Sequence, residues 1–420
     1  MSFLRKLIPP SLISLLEKPY HYCLAFLGAL SYRFPSRDIY VVGITGTKGK
    51  TTTTELVNLF LEKKGYKTAL LGTLRFKIGE KSERNMLKMT MPGRFFIQKF
   101  LRQAVDIGCT HVVIEMSSEG AKQFRHTFID LDALVFTNLS PEHIESHGSY
   151  ENYRAAKLSI AKRLESGKPR TIIVVNHNDT EAGLFLSVNA DKKLTYSPQN
   201  LDSYQIGKNG ITFSWKGVVF ESSLKGEFNL YNILAAMTLA QALGISDRDM
   251  QEALRSFAGV RGRVEEVWAE GRAQERQNFK VIVDYAHTTD SLSKLYGAFE
   301  GQNRICVLGG TGGGRDRWKR EEMGKVASNM CKNIILTNED PYDEDPEKII
   351  EDIAKGITRP HKVILNRREA IATAIQEAKA NDVVLISGKG TDPYIMEKNG
   401  TKTPWDDAKV AREELTKALS

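Results

Sequence analysis

VVGITGTKGKTTTTELV, residues 41–57, joins two kinds of structure. Val41, Val42 and Ile44 read as a buried strand, while Leu56, Leu59 and Phe60 recur at helical spacing and Gly65 marks a helix end. Between them Gly46, Thr47, Lys48 and Gly49 form a loop, and Lys50, Thr51 and Thr52 open the helix. Such a junction turns successive backbone N–H groups and the positive end of a helix toward one anion. Glycines at 46 and 49 admit phosphate close to the backbone, Lys50 brings charge to the β- and γ-phosphates, and the Thr51 hydroxyl suits Mg²⁺. The spacing is G-x-x-G-K-[ST], shorter than the usual G-x-x-x-x-G-K-[ST], because position 44 is isoleucine. A glycine turn with an incidental lysine is the plain alternative. Strand, loop, lysine, paired threonines and helix in one register disfavour it.

Outward from this junction, short β-branched runs ending in polar loops alternate with helical stretches, the pattern of parallel α/β layers. One series begins at Ile39, His111, Ala133 and Thr171, and a second at Lys280, Ile305, Asn333 and Asp382. Between them, 194–228 alternates and carries the Asn209-Gly210 turn signal, which predicts antiparallel edge strands. A helix follows from Asn229, with Gly244 past its end. The expected fold class is therefore α/β: a central P-loop-type nucleotide-binding domain with a mostly parallel sheet over 39–262, and a C-terminal Rossmann-like α/β domain over 263–420. Residues 1–38 read as a short helical segment.

Prolines 9, 10 and 19 and the charges Glu17 and Lys18 interrupt the apolar N-terminus, so a helix packed on the body is expected in preference to membrane contact. The four cysteines, 23, 109, 306 and 331, form neither a C-x-x-C pair nor a metal spacing and suit buried thiols in a reducing cytoplasm. A net charge of +8 is compatible with nucleic acid, membrane or small anions. No aromatic stacking cluster or basic stripe supports a nucleic-acid partner.

Glu115 ends one buried run, and Asn138, His143 and Lys157 follow the next. A glutamate and a neutral histidine suit a phosphate-bridging Mg²⁺. Each has a plainer alternative: a helix cap for Glu115, a loop residue for His143, a solvated helix face for Lys157. Taken together, "TGTKGKTTT", "MTMPG", "EMSSEGAKQFR", "FTNLSPEHIESHGSYENYRAAK", "GEFNLYNILAA", "VRGRVEEV", "VDYAHTTDSL", "GGTGGGRDRWKREEMG", "NEDPYDEDP" and "LISGKG" resemble, in order, the motifs of the Mur ligase family, its tripeptide-forming members most closely.

The resemblance implies an ATP-dependent acid–amino-acid ligase of peptidoglycan precursor synthesis, cytoplasmic and monomeric. In this family a substrate carboxylate is phosphorylated and the incoming amine displaces phosphate, because a free carboxylate is a poor acyl donor. By the same resemblance, Lys50, Thr51, Glu115, His143 and a carbamylated Lys157 serve phosphate and two Mg²⁺ sites. Asn229 and Asn232 serve adenine, Arg263 the γ-phosphate and Asp284 the ribose. Closure of the last domain would complete the site. Thr90, Ser117, Ser118 and Arg125 would meet a UDP-MurNAc-peptide-like acceptor. His287, Arg315, Asp340, Tyr342, Gly388 and Asp392 would meet the amino acid, Arg315 through its carboxylate.

The sequence also departs from the family pattern. About forty residues precede Val41, fewer than a uridine-gripping domain occupies, so the acceptor is expected to be held differently or to lack UDP. "EDPY" stands where diaminopimelate-adding members read D-N-P-R, and Tyr342 replaces the arginine that anchors a second carboxylate. With Glu339, Asp340, Asp343 and Asp392 nearby in sequence, a basic amino acid such as lysine or ornithine is expected; Asp345 and Pro346 equally read as a helix start. "TMPG", "SSE" and "SPEH" replace T-T-P-D, S-S-H and an aspartate before the histidine. Two alternatives remain open: a ligase acting on another carboxylate, as in folate polyglutamylation, and a nucleotide-gated homologue without catalysis.

Overall fold

The structure is a computed structural model and describes residues 10–142, 144–207, 210–314 and 317–420. Asn209 of the expected turn lies outside them. The chain gathers into two compact units, one formed by residues up to Gln205 with 212–222 and 229–257, the other by 206–211, 223–228 and 258–420.

In the first unit the β-branched runs become β1 (Tyr40–Thr45), β2 (Thr68–Leu71), β3 (Arg75–Ile78), β4 (Lys81–Arg84), β5 (His111–Glu115), β6 (Ala133–Phe136), β7 (Ile172–Asn176) and β8 (Lys192–Tyr196). They form one eight-stranded sheet in the order β4-β3-β2-β5-β1-β6-β7-β8. The six strands β2-β5-β1-β6-β7-β8 run parallel, and the β2-β3-β4 edge is antiparallel. The central strands are covered on both faces, which is why they read as unbroken apolar runs. Strand β8 corrects the sequence reading. Leu194 to Tyr196 belong to a parallel edge strand beside β7, because the half-exposed alternation of an edge looks the same in either direction. The three-stranded sheet that follows is β9 (Ser203–Gly207), β10 (Gly210–Trp215) and β11 (Val218–Ser222).

Helix α1 (Pro10–Ser31) precedes β1, α2 (Lys50–Lys63) leaves the phosphate-loop junction, α3 (Arg94–Asp106) packs on α1, α4 (Tyr150–Ala161) follows β6, and α5 (Glu227–Ala242) carries the asparagines. Pro19 lies inside α1 without ending it. Among the described residues no helix is long and apolar enough to cross a membrane.

The second unit holds β12 (Glu265–Val267), β13 (Lys280–Asp284), β14 (Arg304–Leu308), β15 (Asn333–Leu336), β16 (Lys362–Val363) and β17 (Val383–Ser387), ordered β12-β13-β17-β14-β15-β16 and parallel except for β12. Alternate residues feed two cores: Val281, Val283, Val384 and Ile386 on one face, Ile282, Val383 and Leu385 on the other. The cysteine reading is also corrected. Cys306 on β14 and Cys331, just past helix α6 (Lys319–Met330), form a disulfide with Cα atoms 6.1 Å apart. Their 25-residue separation gave no sign that the helix returns the chain beside its own strand. Cys109 is buried and Cys23 exposed.

Candidate functional site

Strand β1 lies between β5 and β6, so the carboxyl ends of all three strands meet at one edge of the sheet, where open α/β folds place ligands. The loop leaving β1 is fastened to the loop leaving β6. The Thr47 and Lys48 N–H groups donate to the Asn138 carbonyl and Oδ1 at 2.8 and 2.9 Å, and Asn138 Nδ2 and Thr137 Oγ1 donate back to the Lys48 carbonyl at 3.0 and 2.7 Å. Gly46 (φ +146°) and Gly49 (φ +82°) hold this turn in backbone conformations that other residues adopt only with strain. A Cβ on Gly46 would lie 1.9 Å from Thr137 Oγ1, and one on Gly49 2.1 Å from Asn232 Oδ1. Asn138 and Asn232 thus shape the loop itself. The Gly49–Asn232 approach was beyond sequence reasoning because 183 positions separate the two residues.

Lys50, first in α2, folds back so that its Nζ donates to the carbonyls of Gly46 and Thr47 at 3.0 and 2.8 Å. Thr51 and Thr52 are buried in the first turn. Thr51 Oγ1 donates to Glu115 Oε1 at 3.1 Å, and the other Glu115 oxygen accepts the Thr73 N–H at 3.0 Å. Glu115 therefore ends its strand facing the phosphate loop, and is no helix cap. Lys48 Nζ pairs with Glu142 Oε1 at 2.7 Å.

Lys157 on α4 is 1% exposed, which rules out the solvated-face alternative. Its Nζ donates to the Gly46 carbonyl at 2.5 Å and stands 5.0 Å from the Tyr153 ring. Burial, and next the charge of Lys50, push its ammonium well below the ordinary lysine range; Glu142 and Glu115 oppose this. His143 lies outside the described residues.

Of the predicted acceptor residues, Thr90 shares a 2.9 Å hydroxyl contact with Thr73, which joins it to Glu115 through one residue. Ser117 caps the short Ser118–Lys122 helix by accepting from the Gly120 N–H at 3.2 Å, and Ser118 is buried. Arg125 donates to the Met91 carbonyl and to Gln123 Oε1 at 2.7 Å. Asn229 and Asn232 are buried on α5, where Asn232 Nδ2 donates to Asn229 Oδ1 at 3.0 Å.

In the second unit Arg263 lies over the Tyr285 ring at 4.4 Å. Asp284 accepts the Val264 and Ala286 N–H groups at 2.8 and 2.6 Å, and His287 Nδ1 meets the Tyr285 carbonyl at 2.7 Å. Lys389, 1% exposed, pairs with Asp340 at 2.7 Å and Asp392 at 3.3 Å and donates to the Tyr394 carbonyl at 2.6 Å. This lysine was missed by sequence reasoning although it stands in the glycine-rich stretch. It neutralises acids that the sequence shows as a bare acidic cluster. Glu339 is buried against Gly388, where an added Cβ would meet its Oε2 at 2.3 Å, and burial raises its pKa. Tyr342 adopts φ +52° and donates its N–H to the Met396 carbonyl at 3.0 Å. Asp345 does start a helix, α7 (Pro346–Ala354), accepting the Glu347 N–H at 3.0 Å. Arg315 lies outside the described residues.

This fold and site define an α/β nucleotide-binding protein with a phosphate loop backed by a buried carboxylate and a buried lysine. Residues 44–240 match the Mur ligase middle domain, and residues 262–390 the Mur ligase, glutamate ligase domain. The UDP-N-acetylmuramoyl-L-alanyl-D-glutamate--2,6-diaminopimelate ligase of Aquifex aeolicus (strain VF5) is 36% identical over 403 residues, 93% of this chain and 80% of that protein. A solved structure of a ligase with that same name has 30% identity and a TM-score of 0.62, covering 90% of this chain and 78% of its own. Mycobacterium tuberculosis folylpolyglutamate synthase, complexed with ADP and AMPPCP, has a TM-score of 0.69 over 89% of this chain and 92% of its own; at 17% identity it shows a shared fold alone. The chain belongs to the Mur ligase family, whose members are ATP-dependent amide ligases.

Proposed function

We propose that this protein adds an amino acid to the peptide of a UDP-MurNAc-peptide-like acceptor in peptidoglycan precursor synthesis, through an acyl phosphate. The observation that carries the reading is the convergence of Lys50, Thr51, Glu115 and Lys157 on one loop at the carboxyl end of β1. On this reading residues 39–262 form the ATP-binding domain and 263–420 the amino-acid-binding domain.

The donor set suits Mg²⁺: the Thr51 hydroxyl and the Glu115 carboxylate are hard oxygen ligands 3.1 Å apart in a buried place. Among the described residues no group of three or more His, Cys, Asp or Glu side chains could hold a metal, so His143 and Lys157 are proposed to complete the set. Bound Mg²⁺ supplies charge neutralisation to the phosphates. Loop N–H groups and Lys50 orient the transferring phosphoryl, and Glu115 is held by Thr73 and Thr51 so that its oxygens face it. Lys157 is poised for carbamylation, because only an unprotonated amine adds to CO₂. Its nitrogen lone pair forms the N–C bond as one C=O π bond of CO₂ breaks onto oxygen, and loss of one N–H proton leaves a carbamate anion whose oxygens a metal could share. Asn229, Asn232, Arg263 and Asp284 are assigned to the nucleotide. Thr90, Ser117, Ser118 and Arg125 are assigned to the acceptor, and His287, Arg315, Asp340, Tyr342, Gly388 and Asp392 to the amino acid.

Tyr342, in place of an anchoring arginine, favours a basic amino acid over diaminopimelate. A matrix of phosphate-release assays tests the whole reading, pairing UDP-linked and lipid-linked muropeptides with lysine, ornithine, diaminopimelate and glutamate, with mass spectrometry of the products. Lysine or ornithine should give the highest turnover. Diaminopimelate outperforming both would contradict the specificity, and no acceptor-dependent phosphate with any pair would contradict the function.

A further inference from the structure

Helix α1 is packed with its size pattern inverted. Its inward positions are small: Ala25, Gly28 and Ala29 are buried, and a Cβ on Gly28 would stand 3.6 Å from the backbone of Arg94 and Phe95 on α3. Its large side chains face outward instead, with Tyr20, Leu27 and Leu30 exposed by 45, 48 and 52% at positions that share one helical stripe. Tyr22 and Phe26 flank the stripe, both meeting Phe128 at ring distances of 5.2 and 5.5 Å, with Phe124 at 6.1 Å from Tyr22 and Phe34 at 6.2 Å from Phe26, and both stay exposed. Phe95, beside Gly28, extends the apolar surface onto α3. A helix facing water carries its apolar stripe toward the core, and a soluble surface seldom leaves such a patch without a use.

Exposed cations predominate along this face, with Glu17 the acid on the helix itself. Lys18 and Arg33 are exposed near the two ends of the stripe, and exposed Lys99 follows Phe95 by one turn. Behind them burial, and next the charge of Arg94, lower the proton affinity of His21; burial, and next the charge of Arg125, lower that of Arg94; and the acid beside them on α1 is Glu17, 3.6 Å from His21. His21 Nδ1 and the Nε atoms of Arg94 and Arg125 are buried with no hydrogen-bond partner among the described residues. An apolar stripe rimmed by cations complements an anionic lipid surface. A second copy would set the same cations against each other.

We propose that the outward face of α1 rests on an anionic phospholipid bilayer, with Tyr20, Leu27 and Leu30 at the headgroup–acyl boundary and Lys18, Arg33 and Lys99 at the lipid phosphates. The proposal is independent of the substrate reading. It is tested by flotation of the purified full chain with vesicles of phosphatidylglycerol and phosphatidylcholine, and with phosphatidylcholine alone. The protein should float with the first and not the second, and raised salt should weaken binding. Leu27→Gln/Leu30→Gln should lower partitioning by about tenfold or more, and its unchanged thermal melting should show that the fold is intact. Lys18→Glu/Arg33→Glu, also at exposed positions, tests the charge independently and should lose the preference for phosphatidylglycerol. Absence of flotation, or equal partitioning of both variants and the parent, would overturn the proposal. So would a dimer in sedimentation velocity that the leucine variant abolishes, since the face would then be a contact between copies.

Discussion

Lys157 is the residue whose chemistry depends most on its surroundings. An ammonium buried beside the charge of Lys50 is costly, so the folded chain holds the amine below its ordinary proton affinity. The sign of the pH effect follows. Between the lowered folded-state value and the ordinary value of 10.5 the unfolded chain carries the proton and the folded chain does not, so stability rises with pH across that window. Lys157→Met should remove this rise in urea midpoints measured across pH and be at least as stable at neutral pH. It should also lower kcat by about a hundredfold or more. A variant that kept full turnover would make the lysine structural. A carbonyl resonance that appears on Lys157 with labelled bicarbonate, and is absent from the methionine variant, would report the carbamate. The residue's identity was legible in the resemblance. Its burial was not, because Lys157 is the one charge in the stripe of Tyr153, Ile160 and Ala161 that α4 buries, and a lysine bordering apolar residues on a helix ordinarily carries its ammonium out to water.

At the scale of elements, the strand-to-helix junction of β1 and α2 was fully legible, since glycine, lysine and threonine occur in one local register. The long-range fastening was not. Gly49→Ala should weaken ATP binding by about tenfold, both from the strain of a positive φ and from the 2.1 Å approach to Asn232 Oδ1. In Gly49→Ala/Asn232→Ala the loss should be smaller than the sum of the single effects, as a titration of nucleotide affinity would show; strict additivity would mean the two groups do not touch. The second unit has a comparable hidden tie at the start of α8 (Arg367–Glu377). Arg367 and Asp407, 1 and 0% exposed, form a two-pronged pair at 2.8 and 2.7 Å, with Arg367 also donating to the Ser387 carbonyl and Trp405 Nε1 to Asp407. Asp407→Ala leaves a buried guanidinium without its partner and should cost about 3–5 kcal/mol in urea unfolding. In sequence these two charges look like ordinary surface residues, because nothing local shows that positions 367 and 407 converge.

For the whole molecule, the alternation of apolar runs and helices predicted two mostly parallel α/β sheets, and both are present. Two failures have the same cause. The direction of β8 and the Cys306–Cys331 bond depend on which distant strand lies alongside, and hydrophobic periodicity records burial without recording the neighbour. The membership of the Mur ligase family rests on motifs spread along almost the whole chain, whereas the acceptor and amino acid rest on the few positions where this sequence departs from the pattern. The central claim is that a carboxyl group is activated as a mixed anhydride with the terminal phosphoryl of ATP. The measurement that tests it most directly is turnover of an acceptor labelled with ¹⁸O in its reacting carboxylate, followed by mass spectrometry of the released phosphate. One labelled oxygen should appear in phosphate for each amide formed, and amide formation with unlabelled phosphate would contradict the account.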